Sequence, residues 1–337
     1  MINKLTLSFM LSTLLLISNV VKVNAEEIKD NEVTISFVGD CTIGEYKGQG
    51  TGNQFKDYFN AKGGDYFFNN VKSIFESDDI TFINLEGPLT DKPQIAVKQF
   101  PIRCESEHIN VLNNSSIEVV NLSNNHIYDC GQDGFNDTKA ILTANNIGYC
   151  GEDNEYIINK NNIQISFLGY QGWSNTKELK DKISSDIDNA HKNGSQIVCV
   201  MFHWGEERKY YSNSIQEDLA HYTIDSGADI VVGSHPHVIQ GIENYNGKTI
   251  IYSLGNFTFG ANKNPKDKDT FIYQQTFKVT PNGVEYKNYN IIPCSISSEA
   301  NKNNYQPTIL DTDNKERVLN RLKEYSSKYK ENIFNFR

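Results

Sequence analysis

The chain has 337 residues, a formal net charge of −10 and 38% hydrophobic residues. Such an acidic balance excludes nucleic acid and anionic lipid as the main partner, because neither offers it a counter-charge. An anionic substrate must therefore meet a local positive site, and bound metal ions would supply one.

Residues 1–25 differ in kind from the rest. Lys4 precedes an almost uncharged apolar stretch from Leu5 to Val21, and Val23-Asn24-Ala25 precedes Glu26-Glu27. That is the layout of a secretory signal with a small-residue cleavage site; left uncleaved, the apolar stretch is nearly long enough to act as a membrane anchor. Either way the protein is expected outside the cytoplasm, secreted or tethered to the outer face of the cytoplasmic membrane. No later stretch is apolar enough to span a bilayer.

From residue 33 short β-branched runs alternate with longer amphipathic stretches, which predicts an α/β fold. Buried strands are expected at 33–38, 80–85, 117–122, 197–202 and 229–232, and helices at 66–77, 106–114, 133–145, 176–193 and 213–226. Segments 155–170 and 238–254 each read as two strands around a polar turn, the second turn carrying Asn246-Gly247. More strand is expected at 270–293 and a charged amphipathic helix at 312–330. The segments 44–65 and 261–269, rich in Asn, Lys and Gly, read as loops. One large domain over 32–300 with a helical extension at 301–337 is the resulting organisation.

The six cysteines (41, 104, 130, 150, 199 and 294) lack CxxC spacing, which excludes a zinc ribbon or a thioredoxin-type site. Export permits a Cys130–Cys150 disulfide, although spacing alone selects no pairing. Cys199, inside an apolar strand, reads as a buried free thiol.

Each of the five predicted strands runs directly into metal-competent or catalytic side chains. Ligand sites of α/β folds lie outside the carboxyl ends of strands, so five such ends point to one shared site. Asp40 leaves the first strand in FVGDCTIG, as an oxygen ligand or as a turn carboxylate capping backbone N–H groups. Glu86 follows the second strand in FINLEGPLT; a buried Glu there needs a cationic partner, whereas a surface turn would need none. The third strand ends in VVNLSNNHIYDCG. Asn125 offers a carbonyl oxygen, His126 a group that titrates near neutral pH, and Asp129 either orients that imidazole or caps the next helix. His203 in VCVMFHWGEER is a ligand or a satisfied core histidine, with Glu206 and Glu207 beside it. His235 and His237 in IVVGSHPHVIQG flank Pro236, a spacing that reaches adjacent positions of a metal cluster.

Oxygen and imidazole donors without thiolate suit Mn, Fe or Zn. Six candidate ligands exceed the need of one tetrahedral ion, so two divalent ions about 3.5–4 Å apart, bridged by Glu86, are the economical expectation.

The order of these clusters resembles the calcineurin-like metallophosphoesterase superfamily and, within it, the CapA branch linked to poly-γ-glutamate capsule synthesis. The matching pieces are GD at 39–40, NLEGP at 84–88, NNHIYDCG at 124–131, HWGEE at 203–207, GSHPHV at 233–238 and SLGNF at 253–257. The resemblance implies a four-layer sandwich, two mixed β-sheets flanked by helices. It places Asp40, Glu86, Asn125, His203, His235 and His237 around the metals, with His126 as proton donor to the leaving group and Gly255 and Asn256 at the rim. Hydrolytic members of the superfamily usually carry Asp-x-His where this chain has Asp40-Cys41-Thr42, and a bridging Asp where Glu86 stands. Both departures are shared with the CapA branch. Two functions follow: assembly, export or anchoring of an anionic polymer alongside membrane-bound capsule synthesis proteins, or hydrolysis of a phosphoester in the envelope.

Overall fold

The computed structural model describes residues 31–46 and 48–335, and the signal-like segment 1–25 lies outside the described residues. In chain order the strands are β1 (Glu32–Thr42), β2 (Glu45–Tyr46), β3 (Ile80–Leu85), β4 (Ile102–Arg103), β5 (Val119–Asn121), β6 (Gly148–Cys150), β7 (Tyr156–Lys160), β8 (Ile163–Gly172), β9 (Ile197–Trp204), β10 (Ile230–Ser234), β11 (Ile242–Tyr245), β12 (Lys248–Ile251), β13 (Asn256–Phe259), β14 (Asp269–Thr280), β15 (Gly283–Ser295) and β16 (Thr308–Ile309). The helices are α1 (Phe55–Lys62), α2 (Asp65–Phe68), α3 (Lys72–Phe75), α4 (Ile109–Asn113), α5 (Gly131–Ala144), α6 (Lys177–Lys192), α7 (Ser214–Asp225) and α8 (Thr312–Ser326).

One sheet has the order β16-β15-β14-β1-β3-β5-β6, with β13 pairing the end of β1. In it β1, β3, β5 and β6 run parallel, while β14 lies antiparallel on the other side of β1. The second sheet has the order β11-β12-β10-β9-β8-β7, parallel through β12, β10, β9 and β8 and closed by antiparallel edges. Strands β2 and β4 form a separate ribbon.

Alternation along each strand assigns its faces. Val33, Ile35 and Phe37 of β1, Ile80 and Phe82 of β3, Cys199 and Met201 of β9, and Ile230 and Val232 of β10 fill the seam between the sheets. Their sequence neighbours Ile83, Leu85 and Val120 instead meet Phe55, Phe67, Leu112 and Phe135 from α1 to α5. Val198, Val200 and Phe202 meet Ile183, Ile187, Leu219 and Ile224 from α6 and α7. The layers therefore run helix, sheet, sheet, helix, as the resemblance implied. Val318 and Leu322 of α8 enter the seam, and Arg321 on the same helix pairs with Asp267 and Asp269.

Several elements escape the sequence pattern. The expected loop 44–65 contains α1, where Phe55 and Phe59 lie four apart and bury one helical face. The expected helix 66–77 is two short helices, α2 and α3. The strands β6, β13 and β16 are two to four residues long, too short for a period to register. All six cysteines are buried free thiols, Cys130 and Cys150 included.

Asp78, before β3, accepts a hydrogen bond from Thr81 Oγ1 at 2.9 Å, while its Oδ1 is buried with no hydrogen-bond partner among the described residues. Burial pushes its carboxyl up to about 7. Between the ordinary value and that one, the folded chain holds a proton that the unfolded chain has lost, so stability falls as pH rises through this window. Asp78→Asn, which stays neutral, should match the parent near pH 4 and melt higher at pH 8, by on the order of 5–10 °C. A gain independent of pH in thermal melts would refute the burial explanation.

Candidate metal centre

The seam-facing row of each strand ends in polar side chains. After Phe82 the same parity brings Asn84 and then Glu86; after Val119, Asn121; after Met201, His203; after Val232, Ser234. A row of apolar residues thus delivers a polar cluster to the carboxyl end of the seam. In β1 the pairing with β3 shifts between Val38 and Asp40, and this irregularity sets Asp40 opposite both Asn84 and Asn256. After β10 the chain turns through His235 and His237, whose φ values are 94° and 57°. Left-handed backbone at two non-glycine residues is strained, and strain of this kind clusters at functional sites.

Glu86 stands at the centre, fully buried. Its Oε1 lies 3.7 Å from His126 Nε2, 3.9 Å from His203 Nε2 and 3.8 Å from His237 Nε2, yet it has no hydrogen-bond partner among the described residues. An unpartnered buried carboxylate oxygen facing three imidazole nitrogens, each too far for a hydrogen bond, is what a cation-binding gap requires.

The other predicted ligands fall on two sides of Glu86. On one side His237 Nδ1 lies 3.2 Å from Asp40 Oδ2 and 2.9 Å from Asn256 Oδ1. Ligand atoms of Asp40, Glu86 and His237 all lie within 4.8 Å of one another. On the other side His203 Nε2 lies 2.8 Å from Asn125 Oδ1 and 3.1 Å from His235 Nδ1. All six predicted ligands therefore converge. His126 joins them through Nε2, and its Nδ1 is 2.8 Å from Asp129 Oδ2. Glu206 and Glu207 are exposed.

Burial pushes Glu86 up to about 8, helped by the charge of Asp40 and opposed by His237. Burial alone would lower His237, but Glu86 and Asp40 push it up to about 10. Burial and the neighbouring His237 push His235 down to about 3. His203 falls well below its ordinary value through burial and then His235. The neutral imidazoles of His203 and His235 beside the carboxylates of Asp40 and Glu86 form a donor set that fits divalent cations.

Sequence patterns passed over the residues that hold this set. Asn84 Nδ2 donates to Asp40 Oδ1 at 2.9 Å, and Asn121 Nδ2 donates to Asn84 Oδ1 at 2.9 Å. Ser234 Oγ lies 3.1 Å from His203 Nδ1, and the Trp173 ring meets His235 edge-on at 4.7 Å. Lys98 reaches from a loop to Asp129 at 2.5 Å and donates to the Asn125 carbonyl at 2.8 Å. The period-two spacing Asn84–Glu86 was a usable signal; the reach of Lys98 and Trp173 had none.

The family model described as bacterial capsule synthesis protein PGA_cap matches residues 34–261. The chain belongs to that family. All eight predicted site residues lie inside the matched segment. The chain is 34% identical over 252 residues to the PGA biosynthesis protein CapA of Bacillus subtilis, a match covering 68% of this chain and 64% of that protein. It is 30% identical over 327 residues to the capsule biosynthesis protein CapA of Bacillus anthracis, covering 89% and 75% respectively. Among solved structures it is similar to a phosphatase from Mycoplasma pneumoniae, with 15% identity, a TM-score of 0.47, and coverage of 81% of this chain and 95% of that one. Among the described residues no helix is long and apolar enough to cross a membrane.

Proposed function

We propose that this PGA_cap protein serves poly-γ-glutamate capsule synthesis, export or anchoring outside the cytoplasm, through a pocket holding two divalent ions of the Mn, Fe or Zn kind. The observation that carries the metal assignment is Glu86 Oε1, buried, unpartnered and ringed by three imidazole nitrogens. Asp40 and His237 would hold one ion and Asn125, His203 and His235 the other, with Glu86 shared between them. Thr42 in place of a further imidazole makes the Asp40 side the weaker of the two. Bound ions would supply Lewis-acid polarisation of a substrate oxygen.

The chain's own residues do the rest. Asp129 holds His126 through Nδ1 at 2.8 Å, so that Nε2 faces the pocket as the atom that exchanges a proton with a substrate oxygen. Asp129 is itself fixed by Lys98 and by the Ile102 N–H at 2.6 Å. Cations in the pocket also answer the charge problem: an anionic polymer approaching a chain of net charge −10 would meet a local attraction there. Membrane-bound capsule synthesis proteins are the natural partners of such a step. Residues 32–300 would form the capsule-synthesis domain and 301–337 an extension that adds β16 to its sheet and packs α8 into its seam.

In the host, His126→Ala at unchanged protein level should reduce surface poly-γ-glutamate at least tenfold; an undiminished polymer would sink this function. The His126–Asp129 pair also favours a second reading, phosphoester hydrolysis in the envelope. On that reading the manganese-loaded protein should turn over phosphomonoesters or diesters, and His126→Ala should slow it by about 10²–10⁴-fold. Absence of any turnover would leave only the capsule role.

A further inference from the structure

A second cluster of ligand-type side chains lies away from the sandwich seam, beside the β2–β4 ribbon. We propose that His108, Glu105 and Glu107 hold a divalent transition ion, zinc being the best match, at a site independent of the Glu86 pocket. One ligand atom from each of the three residues can be chosen so that all lie within 4.8 Å of one another.

The imidazole supplies the decisive observation. His108 is only 1% exposed, and its Nδ1 lies 2.7 Å from the Ile43 carbonyl. A carbonyl only accepts, so Nδ1 carries the proton and Nε2 of the neutral ring is a bare lone pair. That atom is buried with no hydrogen-bond partner among the described residues, and the residue lines a cavity of about 190 Å³. Glu45 lines the same cavity, and its Oε2 is likewise buried and unpartnered. Two buried, unbonded acceptors on residues that line one cavity are costly unless a cation enters, because Lys56 and Arg103 in the same lining are engaged with Glu105 Oε1 and the Gln94 amide donates to the Pro101 carbonyl.

The surrounding charge favours a cation. Lys56 lies 2.6 Å and Arg103 3.3 Å from Glu105, and both hold the same oxygen, Oε1. Against these two cations stand the carboxylates of Glu45, Asp57, Asp91, Glu105 and Glu107. One imidazole nitrogen with carboxylate oxygens is a borderline donor set, suited to zinc rather than calcium or magnesium. An ion here would tie the turn carrying His108 to the ribbon. Through Ile102 in β4, the ribbon donates the hydrogen bond that fixes Asp129.

The test is a zinc count. Metal-stripped full chain is dialysed against zinc chloride and assayed by mass spectrometry, in the wild type and in a Glu86→Gln/His203→Ala/His237→Ala chain. The second chain should keep one zinc, and adding His108→Gln should cut that to below a tenth. Glu105→Gln/Glu107→Gln, at side chains reached by solvent, should do the same in the triple-variant background, and should lower the wild-type count by one, if His108→Gln disturbs folding. A triple variant holding no zinc, or a count that neither ribbon variant lowers, overturns the proposal. A wild-type count unaffected by the triple substitution would instead overturn the Glu86 pocket and leave this site standing.

Discussion

Glu86→Gln should strip the pocket of its ions while leaving the chain folded. The substitution keeps the shape of the side chain and removes the charge that both proposed ion positions share. Loss of partners outside the coordination sphere already costs about 10–100-fold in metal affinity, so loss of a shared ligand should exceed roughly 100-fold. Stability in the absence of metal should barely move, because two effects oppose each other. The variant gives up the attraction between Glu86 and His237, which lies 3.8 Å away. It also sheds a buried carboxylate whose Oε1 has no hydrogen bond and whose burial pushes it up to about 8. A melting temperature within about 2 °C of the stripped parent is the expected balance. Metal analysis and thermal melts on the same preparations check both halves. A Gln variant that retains the parent's full count of ions would remove the basis of the metal centre.

The chemistry-bearing side chains were legible because the fold is periodic where they sit. Glu86, His203 and the His-Pro-His turn each follow an apolar strand, and the seam-facing parity of those strands carries straight into the pocket. The same rule, applied one step earlier, finds Asn84 two residues before Glu86. What stayed hidden depends on contacts between distant segments. Lys98 lies on a loop with no periodicity, and only the folded chain brings its ammonium to Asp129. Trp173 follows β8, and nothing in its surroundings announces that its ring will cover His235. The positive φ at His235 and His237 is equally silent, because histidine enters left-handed backbone far less readily than glycine and so does not mark such a turn in the sequence. Helix α1 was lost for the opposite reason: Asn, Lys and Gly around it give a loop-like composition, while two phenylalanines one turn apart bury it.

Gly39→Ala should couple the fold to the site more severely than any change to a ligand. A Cβ at position 39 would sit 1.8 Å from the Gly255 carbonyl oxygen and 3.1 Å from Leu254 Cβ. Real Cβ atoms do not approach a backbone oxygen so closely, so β1 must move away from the segment leading into β13. That movement breaks the hydrogen bond from the Asp40 N–H to the Gly255 carbonyl, 2.9 Å in the parent. It also disturbs the Asp40–Asn256 register that brings Asp40 and Asn256 together at His237. Overpacking of this kind costs about 2–4 kcal/mol, which denaturant unfolding would resolve. The ion held by Asp40 and His237 should be lost first, because Asn125 and His203 are positioned from β5 and β9, whereas Asp40 sits on β1 itself and holds the His235 N–H. Asp40→Asn is the companion variant: it weakens the same ion and the pairing with His237 but leaves the β1–β13 contact intact, so it should lose less stability than Gly39→Ala. If Gly39→Ala lost ions without losing stability, the close approach of the two strands would not be what holds Asp40 in place.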